Sequence, residues 1–486
     1  MGGVNGAVSP FHQLFPQELL KQAPDQRSPR HPQDHSGSGK GADGEQVQLL
    51  AEETVYLGAQ GDYDAAMRPY DVDAIRARFP SLANTLPDGR PIAFLDGPAG
   101  TQVPQSVIDA YVDFFRRANA NSGGHFATSR AQGEVDDAAH RAAEDLLNAP
   151  NESVKFGANM STLNFQLSRS LARELRAGDE VIVTQLDHDA NYSPWRLLAE
   201  DHNLALKTIR LNPSDGTLDM DHFASLVGPR TKIVAAGMSS NALGTINPSK
   251  RIVEAAHAVG AITVLDAVCS APHYPIDVQA LDTDFLLCSP YKFYGPHAGL
   301  LYGKPALLQR FGRYKVRPAH DLWETGTPAF EAMAGVTAAI DHLAWIGSEF
   351  GDPADQAPLD GRRGQLRAGL KAITRYETGL VRLLLDGLDE LGGVRVRGIT
   401  DRARMHERTS IVSFTMDFAT PDEAAEHLGR DGIQVWSGDF YAPNAIEALG
   451  LTEQGGVLRI GLMSYNTADE VQRLLDSLTA LAASRR

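Results

Sequence analysis

Between about residue 90 and residue 335 the chain alternates two hydrophobic rhythms. Short apolar, partly β-branched runs are IAFLD (92–96), VIVTQL (181–186), KIVAAG (232–237), AITVLD (261–266), TDFLLC (283–288) and GLLYG (299–303). Between several of them lie amphipathic stretches with helical period, such as 161–175, 194–202 and 251–258. Continuous apolar strands interleaved with such helices predict an α/β fold, with a largely parallel sheet covered on both faces. A short helix is expected at Asp71–Phe79, ended by Pro80. After about residue 335 the pattern changes. A polar Gly/Pro/Asp stretch at 347–365 reads as a surface insertion, followed by a long helix at 366–391. Then VRVRGI, TSIVSFTM and VLRIGL alternate with helices at 421–429 and 467–483. The expected domains are therefore a large α/β domain at 69–335, with 69–90 able to pack with the small domain, and a smaller α+β domain at 336–486.

Residues 1–68 differ in kind. The run KQAPDQRSPRHPQDHSGSGKGADGEQ is too poor in apolar residues to offset the entropy of ordering, so a loosely ordered tail is expected, with a short helix at 46–57 inside it. His31 and His35 have ligand-like spacing, but Pro32 and the polar surroundings speak against a metal site there. The formal charge is 45 − 61 = −16, which disfavours general nucleic-acid or anionic-membrane binding. Two cysteines, Cys269 and Cys288, exclude a disulfide framework and suit a reducing compartment. Neither a membrane-spanning run nor a secretory leader is evident, and Gly6 breaks the myristoylation pattern. A cytoplasmic location is expected.

The segment CSPYKFYGPHAGLLYG (288–303) carries the first chemical signal. Lys292 follows a buried strand in a Gly/Pro turn, and Asp266 ends the apolar strand AITVLD. Ligands of open α/β sheets gather at the carboxyl ends of strands. A lysine buried in such a crevice has a depressed pKa and can form a Schiff base. The GPAG at 97–100 is not a full dinucleotide fingerprint, no P-loop appears, and GMSSNALG lacks the spacing of a nucleophile elbow.

A strand aspartate followed 26 residues later by Ser-x-x-Lys before a Gly/Pro turn resembles the class V aminotransferase family, and within it the cysteine-desulfurase-like enzymes. The similarity runs from about Leu95 to Asn466. It implies pyridoxal 5'-phosphate (PLP) as cofactor, fold type I with a mostly parallel seven-stranded sheet, and a homodimer with shared active sites acting on a small amino acid. By the same resemblance Lys292 forms the Schiff base, Asp266 pairs with the pyridinium nitrogen, and His188 stacks on the ring. Asn159 and Met160 cradle the phosphate, with Ser161 open to a simple capping role, and Ser289 adds a hydroxyl nearby. Gly326 and Thr327 reach the neighbouring subunit's phosphate. Asn241 lies near the cofactor's O3' and the substrate carboxylate, which Arg459 binds through its planar fork.

Departures from the family pattern bear on the reaction. Cysteine desulfurases carry a mobile-loop cysteine that takes up sulfur; VWSGDFYAPNA (435–445) has Tyr441 there and Trp436 in place of the family arginine. Tyr291 replaces the histidine before the lysine. Cys269 replaces a glutamine that bonds O3', and reads as a small buried filler. The expectation is β-elimination, C–S cleavage of cysteine or a cysteine S-conjugate, with Trp436, Phe440 and Tyr441 lining an aromatic substrate pocket. Another amino-acid reaction of the family (transamination, decarboxylating deamination or epimerisation) and a catalytically silent PLP-fold partner protein are the alternatives.

Overall fold

A computed structural model describes residues 69–319 and 321–485. The tail at 1–68, its helix at 46–57 and the His31/His35 pair lie outside the described residues. Thirteen strands are described: β1 (Ala93–Phe94), β2 (Val154–Gly157), β3 (Glu180–Thr184), β4 (Ala205–Ile209), β5 (Thr231–Gly237), β6 (Ile262–Asp266), β7 (Phe285–Cys288), β8 (Gly299–Gly303), β9 (Val394–Arg397), β10 (Ile411–Met416), β11 (Ile433–Gln434), β12 (Trp436–Gly438) and β13 (Val457–Gly461).

Seven of these form one sheet in the order β2-β8-β7-β6-β5-β3-β4. The β4, β3, β5, β6 and β7 neighbours run parallel, while β8 is antiparallel to both β7 and β2. Strands β3, β7 and β8 are buried at every position, as expected where helices cover both faces. Two strands escape sequence reading. On β4, at the sheet edge, only Ile209 is buried; β2 carries Lys155, which pairs with Asp321 at 2.7 Å.

The second sheet is antiparallel, β12-β13-β10-β9. The IAFLD segment joins this end of the chain, not the large sheet. There β1 pairs with β11, Asp96 bridges to Gly461, and Ala93 and Leu95 sink into a core with Val412, Ile460 and Leu474. Nearby, Tyr70 stacks on Tyr376 and donates to the Ser464 carbonyl, and Arg76 pairs with Glu470 at 3.0 Å.

One 31-residue helix, Gly361–Leu391, serves both cores. Leu366, Leu370 and Ile373 face the large sheet's core, and Leu380, Leu384 and Leu388 face the second. It packs against the helix Phe330–Phe350 through glycines. A Cβ at Gly347 would fall 1.8 Å from the Gln365 carbonyl oxygen, and one at Gly369 would fall 2.4 Å from that of Leu343. Much of the 347–365 stretch expected as a surface insertion is therefore a helix crossing. Its glycines permit backbone contact, and only 351–360 forms the connection.

Candidate functional site

The carboxyl ends of the parallel strands carry the charged groups. Asp266 is the last residue of β6; its Oδ1 accepts the Val268 N–H at 2.9 Å. Burial raises its pKa to about 6, against the pull of the nearby Lys292 ammonium. Beyond β3, Asp187 is also buried. It accepts N–H groups from Thr184 (3.0 Å) and Gly237 (2.5 Å), tying the β3 turn to β5. Burial, with the like charge of Asp266, lifts it to about 7.

Lys292 closes the short 3-10 turn Pro290–Lys292 after β7 and is 9% exposed. Its Nζ donates to the Pro98 carbonyl oxygen and lies 4.5 Å from the Tyr291 ring centre. Burial first, then the Arg459 charge, lowers its pKa to about 8, although Cys269, Asp266 and Asp96 pull the other way. Tyr291 stacks on His297 at 4.8 Å, which fixes that ring beside the amine.

His188 begins the turn after Asp187. Its Nδ1 accepts the Ala190 N–H at 3.0 Å, so the neutral ring carries its hydrogen on Nε2. Burial, with Lys292 and Arg459 nearby, pushes its pKa down to about 4. Arg459 on β13 is 4% exposed, donates to the Asn241 carbonyl at 2.8 Å and lies 3.9 Å from the Phe440 ring centre. Burial lowers its pKa to about 10, leaving it cationic at neutral pH. Asn241 Nδ2 donates to the Phe440 carbonyl at 2.8 Å, while its Oδ1 is buried without a partner.

The 436–441 segment is held over this cluster. Phe440 and Tyr441 both have φ of +57°, which large side chains rarely adopt. Four contacts over-determine the strained backbone: the two Phe440 contacts just described, the Asp189 N–H to the Tyr441 carbonyl (2.6 Å), and the Tyr441 N–H to Asp439 Oδ1 (2.9 Å). Tyr441 also stacks on His188 at 5.6 Å while remaining 73% exposed.

Other expected site residues are placed as follows. Asn159 caps the helix Met160–Ala172 by accepting the Thr162 N–H at 2.8 Å, so the cap is Asn159 and not Ser161. This turn rests on Gly299, where a Cβ would come within 2.4 Å of the Asn159 backbone. Met160 and Ser289 are buried. Cys269 is partly exposed in the turn after β6 and senses Lys292, Asp266 and Arg459, so it is a site residue more than a core filler. Burial still pushes its thiol pKa up. Gly326 and Thr327 are exposed, and no hydrogen bond or ring contact among the described residues joins them to the cluster. Sequence reading missed Asp96 and Asp187. Both stand just past an apolar run, in IAFLD and VIVTQLD, the signal that identified Asp266.

The donor set fits pyridoxal phosphate. It offers a buried amine of lowered pKa for the aldehyde, a strand-end carboxylate for the pyridine nitrogen and a neutral imidazole face. A helix N-terminus is available for phosphate, and the Asn241 oxygen still lacks a partner. Sheet and site together define a PLP-dependent enzyme of fold type I.

The family model for aminotransferase class-V matches residues 93–355 and 366–474, and the chain belongs to that family. A cysteine desulfurase of Serratia proteamaculans is 30% identical over 429 residues, spanning 84% of this chain and 98% of the relative. A probable cysteine desulfurase of Vibrio cholerae is 32% identical over 428 residues, 84% of this chain and 98% of the relative. Among solved structures, the apo cysteine desulfurase of Thermococcus onnurineus superposes with a TM-score of 0.74 at 25% identity, covering 87% of this chain and 100% of that one.

Proposed function

We propose that this enzyme cleaves the C–S bond of cysteine or a cysteine S-conjugate by β-elimination, so that the conjugate and one water give pyruvate, ammonia and a thiol. The 436–441 segment carries this reading: it holds no thiol, and its aromatic rings close over Arg459 and His188. The cysteine desulfurases among its relatives support cysteine as the parent substrate. Cys269, its thiol pKa raised by burial, is poorly suited to accept sulfur as a thiolate.

Lys292 would hold pyridoxal phosphate through its Nζ, Asp266 its ring nitrogen, His188 its face, and Asn159, Met160 and Ser289 its phosphate end, with Asn241, Cys269 and Tyr291 around the ring. Gly326 and Thr327, exposed on one chain, would serve the phosphate end of a second copy's site. The bound cofactor supplies an electron sink for charge left at the substrate's Cα. Arg459 fixes the α-carboxylate by its bidentate fork, and Asn241 orients it from the β5 side. Lys292 Nζ, partly neutral near pH 7, takes the Cα proton. Phe440 would cover the Arg459 side of the reacting carbons, and Tyr441 the His188 side. A cavity of about 460 Å³ lies along Trp436, Ser437, Phe440, Tyr441, Pro443 and Ile446, and none of Lys292, His188, Asn241 or Arg459 lines it.

Incubation of the PLP-loaded enzyme with cysteine and with S-alkyl and S-aryl cysteines, assaying pyruvate and free thiol, tests the proposal. Equal amounts of both products from at least one substrate are expected. No product from any of them would overturn it.

A further inference from the structure

Four charged side chains sense one another in the site, and three already have work. Lys292 and Asp266 serve the cofactor and Arg459 the α-carboxylate. Asp96 is left over. It stands two residues past β1, before the short turn Gly97–Ala99, and is anchored by its parallel bridge to Gly461, two residues along β13 from Arg459. Across the β12–β13 pair, Trp436 stands directly opposite Arg459, which puts their side chains on one face. The Trp436 side chain lies within hydrogen-bonding reach of the Asp96 carboxyl, and Arg459 and Lys292 both act on it electrostatically. Asp96, Arg459 and Trp436 thus gather at the end of one strand, beneath the aromatic segment.

Asp96 Oδ1 is buried and has no hydrogen-bond partner. A buried acceptor left unsatisfied is costly, so such an atom calls for an explanation. Asp266 offers a contrast, since its Oδ1 takes a backbone N–H. With the α-carboxylate on Arg459, the substrate's side chain would meet Trp436, which stands opposite Arg459 and reaches the Asp96 carboxyl.

We propose that Asp96 determines side-chain specificity: its free Oδ1 accepts a hydrogen bond from a nitrogen donor on the substrate's S-substituent, favouring amine-bearing conjugates and repelling acidic ones. This rests on the reading of the site as one for cysteine S-conjugates. Selection then works in both directions, by an added attraction and by a buried like-charge repulsion.

Three conjugates of similar length test the proposal: S-(2-aminoethyl)-L-cysteine, S-propyl-L-cysteine and S-(2-carboxyethyl)-L-cysteine. Dissociation constants for the PLP-loaded full chain, read from quenching of tryptophan fluorescence, are expected to favour the amine over the acid by about tenfold or more. In Asp96→Asn the ratio should fall to within about threefold, with S-propyl-L-cysteine affinity changing less than either. Equal wild-type affinities for amine and acid, or a preference unchanged in Asp96→Asn, would overturn the proposal. The wild-type comparison needs no variant, so it decides the matter even if Asp96→Asn does not fold. The binding pattern present without pyruvate from any conjugate would refute the cleavage reading and leave the role of Asp96 standing.

Discussion

The floor and the roof of the site are built on opposite principles. The floor consists of strand ends on a buried parallel sheet. Asp266 and Asp187 are pinned by backbone N–H groups, and Lys292 sits in a turn fixed by Pro290. Its charges are shifted by burial, the condition under which a lysine becomes an amine near neutral pH and a carboxylate binds tightly to a cationic ring. The roof is β12 with the turn that follows it, exposed at Trp436 and Tyr441 and strained at two consecutive residues. In the proposed reading the buried strand ends would serve the cofactor, which stays, and the exposed segment would meet the substrate, which changes. The site follows the general rule that scaffold and specificity are carried by different elements.

Perturbing each layer should give effects of different size and kind. Lys292→Ala should lower turnover by on the order of a thousandfold or more in the pyruvate assay, because it removes both the Schiff-base amine and the base. Arg459→Gln should reduce kcat/KM by about a hundredfold, mostly through KM, as a charge-assisted bidentate contact is lost. The pH dependence separates the layers. Lys292 must be neutral to condense with an aldehyde, and its pKa is about 8. The rate at which apoprotein takes up PLP should therefore fall about tenfold per unit as pH drops below about 8, and level off above it. With His188 pushed down to about 4, any inflection between about pH 6 and 7 should come from Asp266 and Asp187 and not from the imidazole. Asp187→Asn should destabilise the fold by about 1–3 kcal/mol in denaturant titrations, since an amide cannot accept both N–H groups through two oxygens. Tyr441→Gly should have the smallest effect. It should relieve a strained φ, leave global stability within about 1 kcal/mol, and raise KM for aryl conjugates several-fold more than for cysteine.

The floor was also the legible half in sequence. AITVLD announces a buried strand end from hydrophobic pattern alone, the parallel sheet follows from the same runs, and Lys292 takes its role from the nearby strand-end Asp266 and the family resemblance. Asp96 and Asp187 carried the same mark but lay in segments read for other reasons. IAFLD has the pattern of one more strand of the large sheet, and in LDHD the histidine masks the aspartate before it. The glycine-rich stretch at 347–365 misled because helix crossings and loops both favour small residues, and only packing tells them apart. The roof was legible as to residue type and not as to geometry: nothing in VWSGDFYAPNA announces two left-handed aromatics held by Asn241, Arg459 and Asp189.

The most direct test of the account is chemical fixation of the cofactor. PLP-loaded protein reduced with borohydride and mapped by peptide mass spectrometry should carry a single phosphopyridoxyl group, on Lys292, absent from Lys292→Ala. A label on another lysine, or none on a protein that has taken up the cofactor, would contradict it.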